Sequence, residues 1–122
     1  MYREKDRIRS EKWRKENKDR IKQYSVKKHL LKTYGMTLKQ YDEMLQKQHF
    51  VCAICNLPEK IKEVRTGMTR RLSVDHCHKT NKIRGLLCSQ CNTAIGSLKE
   101  DINIISNMLI YLNIKHIKLD LL

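Results

Sequence analysis

Two Cys-x2-Cys pairs, Cys52/Cys55 and Cys88/Cys91, constrain this chain more than any other feature. Each pair presents two thiolates from a tight turn. Two such turns complete a tetrahedral S4 shell, which suits Zn2+. One ion held by both pairs would draw together points separated by 32 residues, so the spacer must fold back on itself. It is longer than the spacer of a plain zinc ribbon and has room for a loop and a hairpin. The alternative is two unrelated pairs, one of them redox-active, but four cysteines in two matched knuckles favour a structural metal. The fifth cysteine, Cys77, is left over.

A metal staple also answers a size problem. The foldable core, about residues 35–113, is small, and cores of that size often need such a staple. The N-terminus is charged from Arg3 onward and has no apolar segment of the secretory kind. No run approaches the roughly 18 apolar residues of a membrane span. A cytoplasmic, reducing setting is expected, where paired cysteines bind metal more often than they form disulfides.

The formal net charge is +13, unevenly spread: residues 1–34 carry 13 Lys/Arg against 5 Asp/Glu, and the remaining 88 carry 13 against 8. A chain this basic meets a polyanion, nucleic acid first and an anionic membrane surface second. Three regions are expected: a basic helical arm over 1–34, a zinc-stabilised core over 35–98, and a C-terminal helix and tail over 99–122. The arm reads as one helix over 2–33, supported by Glu11/Lys15 and Glu16/Arg20 at i,i+4. Its apolar stripe is thin, which leaves it exposed as a solvated helix or as a clamp on a nucleic-acid backbone.

Gly35 is a C-cap. Thr37 with Gln40 makes a capping box for a helix whose apolar face is Leu38, Tyr41, Met44 and Leu45. Residues 59–70 are polar and basic and read as a loop. Residues 71–78 read as a strand, 79–82 as a turn in which Asn81 takes the left-handed conformation, and 83–87 as the return strand. A short helix follows from Cys88 to Leu98, closing near Gly96. Asp101 caps a last helix with the stripe Ile102, Ile105, Leu109 and Leu112. That stripe can pack on the core or on a second copy, so monomer and homodimer both stay open. Residues 114–122 carry no assignment. The fold class is α+β.

Four thiolates satisfy one zinc, which leaves Asp75, His76, His78 and Asn92 unassigned. In a strand, Asp75 and Cys77 share one face while His76 and His78 share the other, although a bulge can break that rule. Cys77 is expected to point inward without a chemical role. The hairpin and the crossing helix bring Asp75 and Asn92 near each other across 16 intervening residues. Their hard oxygens suit Mg2+, and His76 beside that ion suits a general base. The product of this logic is metal-assisted phosphodiester hydrolysis. The bland reading is a surface histidine cluster with a helix-capping Asn. Candidate contacts to nucleic acid are Arg14 and Arg20 on the arm, with Arg70, Arg71, Lys82 and Arg84 around the hairpin.

The run from Cys52-Ala-Ile-Cys55 through Leu72-Ser-Val-Asp75-His76-Cys77-His78, Ile83-Arg84-Gly85-Leu86-Leu87-Cys88 and Cys91-Asn92-x-x-Ile95-Gly96 resembles the recombination endonuclease VII family. This is a branch of the His-Me finger (ββα-metal, HNH-like) nucleases known mainly from bacteriophages. Tyr34-Gly-Met-Thr-Leu-Lys-Gln-Tyr41 looks like its lead-in helix. The resemblance covers about residues 34–98. It implies a small ββα-metal finger flanked by helices, with Cys52, Cys55, Cys88 and Cys91 on structural zinc. It also implies Asp75 and Asn92 on a catalytic Mg2+ or Mn2+, His76 as general base, and His78 as an auxiliary group near the scissile phosphate. The implied activity is a DNA endonuclease of junction-resolving or nicking type, acting on duplex or branched DNA in the host cytoplasm if phage-encoded. The alternative is a non-catalytic zinc module that only binds nucleic acid. Cys77 stands where the family usually has Asp, and Asn81 where a turn Gly is usual.

Overall fold

A computed structural model of the chain describes residues 2–112, so the unassigned stretch 114–122 lies outside the described residues. The chain divides between His49 and Phe50 into two compact units.

The first unit is helical. The expected single helix is two, α1 (Tyr2–Glu16) and α2 (Lys18–Tyr34). Asn17 interrupts them: its side-chain amide donates to the Trp13 carbonyl at 2.8 Å, competing with the backbone as Asn does inside helices. Glu11 and Glu16 reach back to Arg7 (3.7 Å) and Lys12 (3.9 Å) instead of forward to Lys15 and Arg20. Gly35, at φ 62°, ends α2 in the left-handed conformation that glycine tolerates. The Thr37 hydroxyl accepts from the Gln40 amide at 3.2 Å, and the Thr37 amide donates to Gln40 Oε1 at 2.8 Å. This capping box starts α3 (Leu38–Lys47), which packs on α2 and buries Tyr41.

The second unit is the finger. Residues 59–70 are more ordered than the loop expected from their polarity. The Glu63 amide donates to the Met68 carbonyl at 2.9 Å, the Arg70 amide to the Ile61 carbonyl at 2.8 Å, and Gly67 turns the chain at φ 66°. Strands β1 (Ser73–His76) and β2 (Ile83–Leu87) then pair antiparallel. β1 is shorter than the expected 71–78, because the turn claims its end. The Cys77 amide donates to the Lys82 carbonyl, the Asn81 amide to the Cys77 carbonyl, and Asn81 sits at φ 57°. Helix α4 (Ser89–Ser97) lies against both strands, and α5 (Ile102–Tyr111) follows with the Asp101 carboxylate capping it. α4 closes at Ser97, next to Gly96 as expected, with Leu98 as its C-cap, and the left-handed residues that follow are Lys99 and Glu100.

Leu72, Val74, Leu86 and Leu87 are buried with Cys52 and Cys88. Four aliphatic side chains make a thin core. Leu86 is fully buried within it, and truncating such a residue costs about 2–5 kcal/mol. The core places the hairpin between the two Cys pairs.

Candidate active site

The Cys-x2-Cys turns converge. The Sγ atoms of Cys52, Cys55, Cys88 and Cys91 lie within 4.8 Å of one another, with Cys55 and Cys88 at 3.9 Å. Sulfurs on a tetrahedral ion at about 2.3 Å are roughly 3.8 Å apart, so the cluster can hold a metal such as zinc. Local hydrogen bonds shape each turn. Asn56 at φ 58° lets the chain reverse, and its amide donates to the Cys52 carbonyl. The Ala53 amide donates to the Leu86 carbonyl at 3.1 Å, which fixes the first turn to β2. Cys88 serves twice: it is the N-cap of α4, and its sulfur accepts the Cys91 amide at 3.4 Å.

The electrostatics favour a cation here. Burial opposes the Cys52 thiolate, but amide donors from Cys55, Cys88 and Ile54 outweigh it and leave its pKa at about 7. Burial and the three neighbouring sulfurs push Cys91 up to about 12. Without a cation the cluster resists a second negative charge; a dication removes that conflict.

The hairpin carries a bulge at the point where chemistry was expected. Asp75 pairs with Gly85 and His76 with Ile83, so Arg84 is the extra residue on β2. A bulge re-aims its side chain. Arg84 turns onto Asp75, with Nε to Oδ2 at 2.7 Å and Nη2 to Oδ1 at 2.9 Å. Its other edge meets Glu100, with Nη1 to Oε2 at 3.1 Å and Nη2 to Oε1 at 2.9 Å. Glu100 also lies 3.6 Å from His78 Nε2, and the His76 and His78 rings are 4.8 Å apart. Hydrogen bonds to Arg84 hold the Glu100 carboxyl below the usual carboxylate range, and the two acids raise Arg84 in turn. Asp75, His78, Arg84 and Glu100 line one side of a cavity of about 740 Å3, against Ile95 and Ile105.

Residues 27–114 match the recombination endonuclease VII family over most of the chain. The chain belongs to that family. It is similar to the "Gene 59 protein" of Mycobacterium phage D29, 38% identical over 84 residues, 68% of this chain and 47% of that protein. It is also similar to the "Gene 59 protein" of Mycobacterium phage L5, 43% identical over 63 residues, 52% of this chain and 34% of that protein. The chain thus spans half or less of the length of these relatives. No solved structure matches.

Within this endonuclease VII finger, the expected site residues are placed as follows. Asp75 is buried on β1 and His76 is half-buried at its end. His78 is in the turn rather than in a strand, yet its ring still stands beside His76. Asn92 is exposed on α4, directly after Cys91 and one turn before the cavity residue Ile95. Arg70, Arg71, Lys82 and Arg84 are exposed on the finger, and Arg14 and Arg20 are exposed on the arm. Cys77 differs from expectation. It is half-exposed and borders the cavity, and hydrogen bonds from Thr80 and the Lys79 amide lower its thiol pKa. The short strand explains this, because alternation ends at His76.

Two acids escaped the sequence reading. Glu100 lies 16 residues beyond Arg84, and no spacing rule joins them. Glu59 accepts the Ser89 amide at 2.7 Å and the Ser89 hydroxyl at 2.8 Å, and so binds the loop to the start of α4.

Proposed function

We propose that this chain is a divalent-metal-dependent DNA endonuclease of the phage recombination type, hydrolysing phosphodiester bonds. One observation supports this most: a buried carboxylate, Asp75, and two adjoining imidazoles, His76 and His78, sit on a bulged hairpin beside a four-cysteine cluster. The four thiolates would hold structural Zn2+ and fix the start of α4 to the hairpin. Asp75 and Asn92 would hold Mg2+ or Mn2+, whose chemistry is to polarise the phosphate and stabilise the leaving oxygen. His76 takes the proton from the attacking water, as an imidazole can near neutral pH. His78 assists beside it. Arg70, Arg71 and Lys82 contact the phosphate backbone of duplex or branched DNA, and Arg14 and Arg20 add contacts from the arm. These contacts make binding salt-dependent. No described helix is long and apolar enough to cross a membrane.

A second reading, a zinc-containing module that binds nucleic acid without cutting it, is favoured by one fact. Both Asp75 oxygens accept from Arg84. Incubating supercoiled plasmid with the protein and Mg2+, against a chelator control, separates the two. The endonuclease reading expects nicked or linear product with Mg2+ only, and a loss of about 10^2- to 10^4-fold in His76→Ala, with metal content and fold intact. Undiminished cleavage by His76→Ala ends the assignment of the base. No cleavage of any plasmid or branched substrate supports the second reading.

A further inference from the structure

Arg84 uses its guanidinium as two separate edges. The Nε/Nη2 edge is closed by Asp75 and the Nη1/Nη2 edge by Glu100. Four of its five N–H donors are therefore taken by carboxylates. The two edges differ in surroundings. Asp75 is nearly enclosed, with 11% of its side chain exposed, whereas Glu100 keeps 26% and closes the side of Arg84 that faces the cavity and solvent.

The Nη1/Nη2 edge is the fork that matches a phosphate in bidentate fashion. Glu100 presents two oxygens to it, as a phosphodiester would. The backbone carries Glu100 there by an unusual path. Lys99 and Glu100 are consecutive non-glycine residues at φ 52° and 55°, in the turn between α4 and α5. That conformation favours glycine, and strain of this kind persists where neighbouring contacts over-determine it. Here the contacts are the two bonds to Arg84 and the approach of His78.

We propose that Glu100 is an internal stand-in for a substrate phosphate. It holds the outward edge of Arg84 in the free protein and yields that edge to a backbone phosphate when DNA binds. Arg84 is then a substrate-binding residue, and Glu100 sets the affinity of that subsite by competing for it. Through its other edge Arg84 orients the Asp75 carboxylate beside His76 in the free protein. This rests on the nuclease reading of the same site.

The test measures duplex-DNA binding by fluorescence anisotropy in a chelator of Mg2+ that leaves zinc bound, with cleavage scored separately. Glu100→Gln, which keeps the shape but loses the charged acceptor, is expected to tighten binding about fivefold, the weight of one exposed ion pair. The gain should vanish in an Arg84→Lys background, because an ammonium offers no second edge. A gain that persists there is ordinary loss of negative charge and overturns the proposal. Zinc content and melting temperature check that each variant folds. An NMR measurement on the wild-type chain stands apart from any variant. Duplex titration should shift the Arg84 Nε and Nη resonances, and unmoved resonances under saturating DNA overturn the proposal. A wild-type chain that binds neither duplex nor branched DNA overturns the nuclease reading and this inference together. A wild-type chain that binds and cuts DNA, with Glu100→Gln unchanged in affinity, overturns this inference alone.

Discussion

At the cysteine cluster, four sulfurs crowd within 4.8 Å, and the influences raising Cys91 are its own burial and the other three sulfurs. At Asp75, two carboxylates crowd as well, but Arg84 lies between them and bonds both. One cluster could take its cation only from outside the chain; the other carries one in the chain. The difference separates a site that can accept a metal ion from a site whose charges are already paired within the chain. Cys91 belongs to the first cluster, while the next residue, Asn92, is exposed on the same helix.

The largest effect should come from breaking the first cluster. Metal binding in small zinc modules is worth about 10–16 kcal/mol, as much as the whole stability of an ordinary domain at about 5–15 kcal/mol. Cys88→Ser, which keeps a capping side chain at the start of α4 but removes a thiolate, is expected to unfold the finger while leaving the helical unit. The buried methyl groups of Val74 and Leu86 report this by NMR, since their dispersed resonances should collapse. Native dispersion in metal-free Cys88→Ser would mean the finger stands without an ion, and the contrast between the clusters would fail.

The second cluster should respond more mildly and in a pairwise way. Arg84→Met strands the Asp75 carboxylate in a largely enclosed position and should cost about 1–3 kcal/mol. Solvent screening of the half-exposed guanidinium favours the lower end. Adding Asp75→Asn removes the stranded charge and should recover most of that loss, which chemical denaturation of the single and double variants measures. Additive losses would show that the two residues act independently, contrary to their bidentate geometry.

The parts of the molecule that follow local rules were legible in the sequence. Thr37 and Gln40, Gly35, Asn81 and the Asp101 cap each announce themselves within four residues, and the structure has all of them. The Cys pairs were legible because tetrahedral coordination fixes what two tight turns must do together. Family membership was legible because the motif residues are dense over 52–96. The features that were missed depend on register. Nothing in Ile83-Arg84-Gly85 says that Arg84 is the bulged residue, yet in the folded chain it bonds both Asp75 and Glu100. Strand β1 ends two residues early for the same reason, and Cys77 comes to border the cavity instead of pointing into the core. Glu59 and Glu100 act over 30 and 16 residues, distances at which only the folded chain pairs them.

Glu59 gives the smallest effect and tests how much of the cysteine cluster's geometry the chain supplies by itself. Burial opposes its charge, but amides of Ile61, Ser89 and Lys60 and the Ser89 hydroxyl outweigh that and hold its carboxyl below the usual range. The carboxylate also sits at the N-terminus of α4, where a negative charge is favoured. A pKa lowered on folding means stability that is present above the ordinary carboxylate pKa and lost as pH falls through the folded value. Glu59→Gln should therefore cost about 1 kcal/mol at neutral pH. The gap should narrow below the ordinary carboxylate range and close once Glu59 is protonated in the folded chain. Any metal held by the thiolates is lost from both proteins as they protonate, so the difference between their melting curves, not either curve alone, isolates Glu59. A constant difference from neutral to acidic pH would assign the effect to packing. A difference that closes with acid would show that a carboxylate of the chain, and not the metal alone, holds the second knuckle to the loop.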